Sequence, residues 1–394
     1  MYQIKLKKFQ DLRLASGHPW VYSNEVESDS ALAKIPAGSL VKIYSNKGDF
    51  MGIGFYNFHS LIAVRMLSKD QECKIDTDFF VKKIKIALLL RNDFFDQSYY
   101  RLIHSEADEL PGLIIDQFDK ILVCQITSAG MELLLDNLKE ALKILFPGST
   151  IVLRNDTPSR SLEKLENYTR VVDDKVIDEA EKILIENDIK YYFDPILGQK
   201  TGWFFDQREN RKFIAGISKD KDVLDCYCYN GGFGLNAKKA GAKSVTFIDS
   251  SKEALLKVSE NAKLNNLEEN CSYIEAKVFD ELENLEKSGM QFDVVILDPP
   301  AFIKTKKDFF SGIRGYEKLV KMGAKLVTKN GYLFIASCSH NALLKDLISA
   351  SGTGINKAGR EGKIIRTFGA GIDHPIHPFL PESEYLKSIT YKLD

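Results

Sequence analysis

The sequence predicts an α/β protein: a doubly wound, mainly parallel sheet at the C-terminus, preceded by a small β-barrel and a small α+β domain. Three observations carry this. From about residue 190, short apolar strands alternate with helical stretches, which is the pattern of βαβ units. The first 70 residues hold only short strands separated by turns. The length of 394 residues, at ~150 per domain, leaves room for two to three domains. We place the boundaries at 1–70, 71–189 and 190–394, with the acidic stretch around 171–188 as the seam before the third domain.

In the first domain Leu40–Tyr44 alternates with period two, Ser45–Gly48 is a turn, and Phe50–Val64 resumes as strand. Residues 75–100 then read as helical, with Phe79, Phe80, Ile84, Ala87, Leu88 and Leu89 on one broad face. Leu113–Ile115, Ile121–Ile126 and Thr150–Leu153 read as strands, and Glu132–Phe146 as an amphipathic helix. In the third domain Val223–Leu224, Ser244–Ile248, Val294–Leu297 and Gly331–Ala336 are strands, with helices at Gly234–Ala240 and Lys252–Leu264.

Composition excludes several classes. Basic and acidic residues number 54 and 55, so binding by bulk charge is out. The balance is nevertheless local: residues 1–70 carry net +3, residues 171–190 net −4 and residues 301–330 net +6. A basic patch is an electrostatic footprint for a polyanion, although most charge runs are solvated faces. No stretch without a charged residue is longer than the 15 residues of Phe50–Val64. A membrane-spanning helix needs about 20 apolar ones, so no membrane association is expected. The start, MYQIKLKKFQ, lacks an apolar signal region, and six irregularly spaced cysteines form no disulfide framework; a cytoplasmic location is expected.

The chemistry concentrates in the third domain. Asp225-Cys-Tyr-Cys-Tyr-Asn-Gly-Gly-Phe-Gly234 lies between a predicted strand and a predicted helix. Glycines there admit a ligand close to the backbone, and the helix start offers free N–H groups. Asp249 closes the next strand, 18 residues after Gly231, where a carboxylate can accept from both hydroxyls of a ribose. That pair alone fits NAD or S-adenosylmethionine. Asp298-Pro-Pro-Ala-Phe302 follows a buried strand at the carboxyl edge where α/β sheets bind ligands. Its prolines stiffen the turn, so Asp298 can face a base's amino group and ring nitrogen while Phe302 offers a stacking face. Ala336-Ser-Cys-Ser-His340 places Cys338 at the same edge.

No metal is expected. Cys226 and Cys228 are too closely spaced for a zinc pair and read as wall packing. Cys73, Cys124 and Cys271 read as structural, and His374-Pro-Ile-His377 as a stiff loop. His18 and His104 are open between an RNA-facing role and turn hydrogen bonding.

Residues 194–211 (DPILGQKTGWFFDQRENR), the Asp225–Gly234 turn, LDPPAF at 297–302 and SCSH at 337–340 resemble the RlmI-type large-subunit ribosomal RNA methyltransferases. Ser16–Tyr22, Tyr100–Asp116, Asp373–Ile376 and Tyr385–Lys387 extend the resemblance over nearly the whole chain. It implies a Rossmann-like methyltransferase domain behind a PUA-like RNA-binding barrel. It also implies S-adenosylmethionine as cofactor, large-subunit ribosomal RNA or its assembly intermediates as partner, and 5-methylcytosine as product. The cofactor-binding residues it implies are Gln207, Arg208, Asp225, Tyr227, Gly231, Gly232, Asp249, Ser250 and Val278. Pro299, Pro300, Phe302, Lys304, Lys306 and Lys307 are the expected substrate contacts. The resemblance has one departure. Lys277 stands where the family carries an acidic residue expected to contact the adenine amino group, and lysine cannot accept that hydrogen bond.

Carbon 5 of cytosine is a poor nucleophile and needs covalent activation. Cys338 is the expected nucleophile at carbon 6, and Asp298 is expected to hold the base. The base that removes the carbon-5 proton is not readable; His340 and water are the candidates. Two rivals remain. One is a purine-nitrogen methyltransferase on the same fold, which needs no cysteine. The other is a non-catalytic RNA-binding assembly factor. The oligomeric state stays open between monomer and homodimer.

Overall fold

The computed structural model describes all 394 residues, which form two compact units. The first comprises Met1–Lys182, Phe193–Phe205 and Ile372–Ser383; the second Ile183–Tyr192, Asp206–Gly371 and Glu384–Asp394.

The first unit opens with strands β1 (Tyr2–Lys5), β2 (Trp20–Tyr22), β3 (Ser39–Tyr44), β4 (Phe50–Tyr56) and β5 (Ile62–Ser68), in the order β1-β3-β4-β5-β2. The two edges meet beyond the strand ends. Leu6 bridges to Val26, Lys7 N–H donates to the Glu25 carbonyl, and Glu27 N–H to that of Lys5. The sheet thereby closes on a core of Leu6, Val41, Ile43 and Val64. Phe50–Val64, expected as one strand, is a hairpin instead. Asn57 N–H bonds the Ala63 carbonyl and Ser60 N–H that of Asn57, so the polar Asn57–His59 segment turns the chain.

A second sheet follows: β6 (Tyr99–His104), β7 (Leu113–Phe118), β8 (Ile121–Ile126), β9 (Thr150–Asn155) and β10 (Tyr168–Val171), ordered β10-β9-β8-β7-β6. Only β8 and β9 run parallel, and their crossover contains the amphipathic helix Leu135–Leu145. The expected Glu132–Phe146 helix is broken at Leu134, which leaves a short Ala129–Leu133 turn ahead of it. The 75–100 helix is shorter than expected, Thr77–Asn92, capped by the Asp76 carboxylate on Phe79 N–H. Phe55 and Leu67 of the barrel belong to this second core. Arg65 joins Glu106 and Glu163, and the latter also accepts from Asn57 and Ser60. The barrel and the α+β segment therefore share a core and a buried ion network. His104 is buried against His374, which removes its RNA-facing reading; His18 Nδ1 accepts Trp20 N–H as a turn bond.

The second unit begins with the hairpin β11 (Ile183–Glu186) and β12 (Ile189–Tyr192). Asn187 and Asp188 both have positive φ, the turn that matches strand twist. Its main sheet contains β13 (Asp222–Cys226), β14 (Ser244–Asp249), β15 (Cys271–Glu275), β16 (Phe292–Leu297), β17 (Val327–Ser337), β18 (Gly362–Phe368) and β19 (Lys387–Leu393). The order is β15-β14-β13-β16-β17-β19-β18, and β15 through β17 are parallel. β19 runs antiparallel to both β17 and β18. Continuous apolar runs such as Val294–Leu297 fit strands covered on both faces. The chain reverses its direction of travel across the sheet between β13 and β16. Their carboxyl ends form the switch point where such sheets bind ligands.

Candidate active site

At the switch point the β13 turn is strained. Tyr227 and Tyr229 hold φ of 61° and 49°, and Gly231 follows at 82°. Such conformations persist in side-chain-bearing residues only where the surroundings enforce them. Here Cys228 N–H bonds the Ile248 carbonyl, and Tyr229 N–H donates to the Asp249 carboxylate at 3.1 Å. Ser251 N–H donates to the other Asp249 oxygen at 2.9 Å. The helix Gly232–Lys239 then rises close to the sheet. A Cβ on Gly234 would stand 2.2 Å from the Phe247 ring.

Asp225 is buried beneath this turn. One carboxylate oxygen accepts Gly234 N–H at 2.8 Å, and the other has no partner within the protein. Burial pushes its pKa up to about 7; the Gly234 bond opposes this, and the neighbouring Asp298 and Asp249 add to it. A buried carboxylate oxygen without a partner, beside a half-buried ribose-competent Asp249, is a cradle for a ligand that brings its own donors. The residues fit S-adenosylmethionine, which carries an ammonium group and two ribose hydroxyls.

Asp298 follows β16, in register so that Leu297 pairs with Cys226 on one side and Ile335 on the other. The Gln207 amide donates to Asp298 at 3.0 Å, and Asn210 in turn donates to Gln207 at 2.7 Å. Arg208, expected near the cofactor, has its guanidinium on Glu186, which Arg211 also binds at 2.6 Å. Ser250 is exposed after Asp249, and Val278 is buried at the first turn of the helix Val278–Lys287. Lys277, just before it, is exposed.

Cys338 follows β17 at the same edge and is half-buried. Its flanking serines anchor the loop. Ser337 Oγ donates to the Tyr316 hydroxyl at 2.8 Å, and that hydroxyl and Ser339 Oγ lie 3.0 Å apart. Ser339 Oγ also accepts Ile303 N–H at 3.2 Å, which ties the Cys338 turn to the loop carrying Asp298, Pro299 and Pro300. Phe302 packs on Tyr316 at 4.7 Å between ring centres, and Phe279 lies 6.3 Å away on its other flank. Lys304, Lys306 and Lys307 are exposed beyond this loop. By contrast, burial pushes the Cys226 and Cys228 thiols well up, so they stay protonated packing groups.

Sequence reasoning missed Asn210, Tyr316, Ser339 and Lys387. The last is a buried lysine whose ammonium donates to the Ser339 and Tyr385 carbonyls, both at 3.0 Å. The period-two pattern offers no signal for it, because six of the seven β19 residues are buried.

A doubly wound sheet with this turn, a ribose-competent Asp249 and an Asp-Pro-Pro loop at the switch point defines an S-adenosylmethionine-dependent methyltransferase. Residues 176–354 match the family model of S-adenosylmethionine-dependent methyltransferases, and residues 4–69 that of a PUA-like domain. Proteins named ribosomal RNA large subunit methyltransferase I are similar over full length. The one from Shewanella frigidimarina is 35% identical, with 99% of each chain covered. The one from Photobacterium profundum is 37% identical, over 98% of this chain and 97% of its own. The chain belongs to the ribosomal RNA large subunit methyltransferase I family. Two solved structures share the fold over 100% of both chains at 20% identity. One is a candidate methyltransferase complexed with SAH (TM-score 0.84) and one a candidate S-adenosylmethionine-dependent methyltransferase from Streptococcus mutans (TM-score 0.83).

Proposed function

We propose that this protein methylates carbon 5 of a cytosine in large-subunit ribosomal RNA, with Cys338 as nucleophile. The observation that carries the reading is the tie between the Cys338 turn and the Asp298-Pro-Pro loop through Ser339 and Ile303 N–H. It links the turn that carries the thiol to the loop that carries the carboxylate, which supports the near-attack positioning that the reaction requires. Asp225, Tyr227, Gly231, Gly232 and Asp249 hold S-adenosylmethionine, with Ser250 and Val278 bordering it. When bound, the cofactor would supply an electrophilic methyl group, whose bond to the sulfonium sulfur breaks to leave a neutral thioether.

The Cys338 thiolate adds to carbon 6 of the base, and the carbon 5–carbon 6 π pair moves to make carbon 5 nucleophilic. Asp298, oriented by Gln207, accepts from the amino group of the base and, carrying a proton, donates to the ring nitrogen on which the charge of the adduct gathers. After carbon 5 gains its methyl group, its proton leaves to a base, the ring double bond re-forms, and the carbon 6–sulfur bond breaks. Pro299 and Pro300 keep the loop rigid, and Phe302 supports the base. Lys304, Lys306 and Lys307 meet phosphates, together with the barrel of the first unit. This work on ribosomal RNA suits the cytoplasm, and no helix is long and apolar enough to cross a membrane.

The test is Cys338→Ala combined with RNA carrying 5-fluorocytosine. The variant is expected to bind cofactor and RNA but transfer no methyl group. The fluorinated RNA is expected to trap the wild type covalently, since fluorine blocks the elimination. Near-normal transfer by Cys338→Ala, with no trapped adduct, would move the target to a purine nitrogen.

A further inference from the structure

The Cys338 nucleophile must lose its proton, and the sheet places a cation beside the turn that carries it. In the β17–β19 ladder Lys387 pairs directly with Ser337, so its side chain rises beside the residue that precedes Cys338. The ammonium donates to the carbonyl of Ser339, the residue that follows Cys338. It therefore spans the turn that presents the thiol. The second acceptor, the Tyr385 carbonyl, is fixed in place because the Tyr385 hydroxyl donates to Asp206 at 2.5 Å.

Lys387 is only 6% exposed, yet both its acceptors are neutral carbonyls. A buried ammonium is ordinarily matched by a carboxylate, because leaving water is costly for an isolated charge. The charged groups facing it are Glu384 on its own segment, Asp346 on the helix Leu344–Lys357, and the Cys338 thiol. Neither carboxylate is within ion-pair distance, and each ammonium has three donors. Among the groups facing Cys338 are this ammonium and, from the helix Phe309–Leu326, the Tyr316 hydroxyl. His340, the next histidine along, is exposed and stacks on Tyr385.

We infer that Lys387 is a positioning residue that holds the Cys338 sulfur as the thiolate, with the charged pair completed inside the site rather than by a carboxylate. The inference rests on the reading of Cys338 as nucleophile. Burial lowers the ammonium pKa and the nearby thiolate raises it, so the two charges support each other. The proton balance is simple. The thiol proton leaves to solvent before the base arrives, and Lys387 keeps its own three.

The test is alkylation of the full-length protein by iodoacetamide across pH, with modification read at the Cys338 peptide by mass spectrometry. A free cysteine titrates near about 8.5. The wild type is expected to titrate below that. Lys387→Met, which keeps the length of the side chain, is expected to raise the midpoint by about one unit, slowing alkylation at pH 7 about tenfold, with the high-pH plateau unchanged. A lysine that only braces the turn would change the plateau and leave the midpoint where it was, which overturns the inference. So does a wild-type midpoint at or above that of free cysteine, a measurement that stands even if Lys387→Met fails to fold. Trapping by 5-fluorocytosine RNA is scored separately. A shifted midpoint without trapping removes the cytosine reading, and trapping without a shifted midpoint removes the role of Lys387.

Discussion

Asp225 is kept neutral in part of the physiological range by the same burial that makes it useful. Its ordinary value of 3.8 rises to about 7 in the fold, so the folded state holds a proton that the unfolded chain has lost between those values. A carboxyl group with a raised folded pKa destabilises the fold progressively as pH climbs from about 4 to 7, and by a constant amount above that. One pKa unit corresponds to about 1.4 kcal/mol, so the cost reaches up to about 4 kcal/mol at pH 8. The Asp225→Asn protein without cofactor is therefore expected to be more stable than wild type, by a margin that grows between pH 5 and pH 8. Urea unfolding at the two pH values measures it; an equal margin at both would show that Asp225 ionises freely. The same substitution is expected to weaken S-adenosylmethionine binding, because the site loses an acceptor.

At the scale of elements, the helix Phe309–Leu326 sets the height of the Asp298 loop. A Cβ on Gly312 would stand 2.3 Å from an Ile303 side-chain carbon and 2.9 Å from the Phe302 carbonyl oxygen. Gly312→Val must push the loop outward. Overpacking of this kind costs about 1–3 kcal/mol, and here it displaces Ile303 N–H from Ser339. Slower methyl transfer with cofactor affinity retained is the expected result in single-turnover assays and calorimetry; unimpaired transfer would mean that the loop needs no such support. This dependence explains what the sequence did and did not reveal. The placement of Asp225, Asp249, Asp298 and Cys338 at one sheet edge was legible because each lies at or just past the end of a strand with a recognisable apolar run, and strand ends of a parallel sheet converge. Gly312 and Tyr316 lie inside an amphipathic helix, where a glycine and an aromatic residue read as ordinary packing. β18 and β19 were illegible for other reasons. The residues of β18 are exposed or half-buried throughout, those of β19 are buried almost throughout, and neither alternates. Lys387 acquires its meaning only when β19 folds back antiparallel beside β17.

At the scale of the whole molecule, charge is distributed rather than accumulated. The chain carries net −1, while residues 301–330 carry net +6. Part of that excess is already committed. Lys325 pairs with Glu286, and Lys318 lies 5.1 Å over the Phe279 ring. Lys304, Lys306 and Lys307 are exposed just beyond the Asp298 loop, and the proposed function expects the phosphates that flank the target base to meet them. Each phosphate neutralised by a lysine releases counterions, so binding weakens with salt in proportion to the number of contacts. Replacing all three lysines with glutamine is expected to lower RNA affinity with little regard to sequence. It should also flatten the plot of log affinity against log salt by up to about 2 for a single-stranded target. Cofactor affinity, which we assign to Asp225 and Asp249, should not change. Filter binding of an RNA fragment at several salt concentrations separates the alternatives. A parallel line at lower affinity would mean that the lysines shape the loop without touching phosphate. An unchanged line would mean that they are a solvated face, and that the barrel of the first unit makes the phosphate contacts.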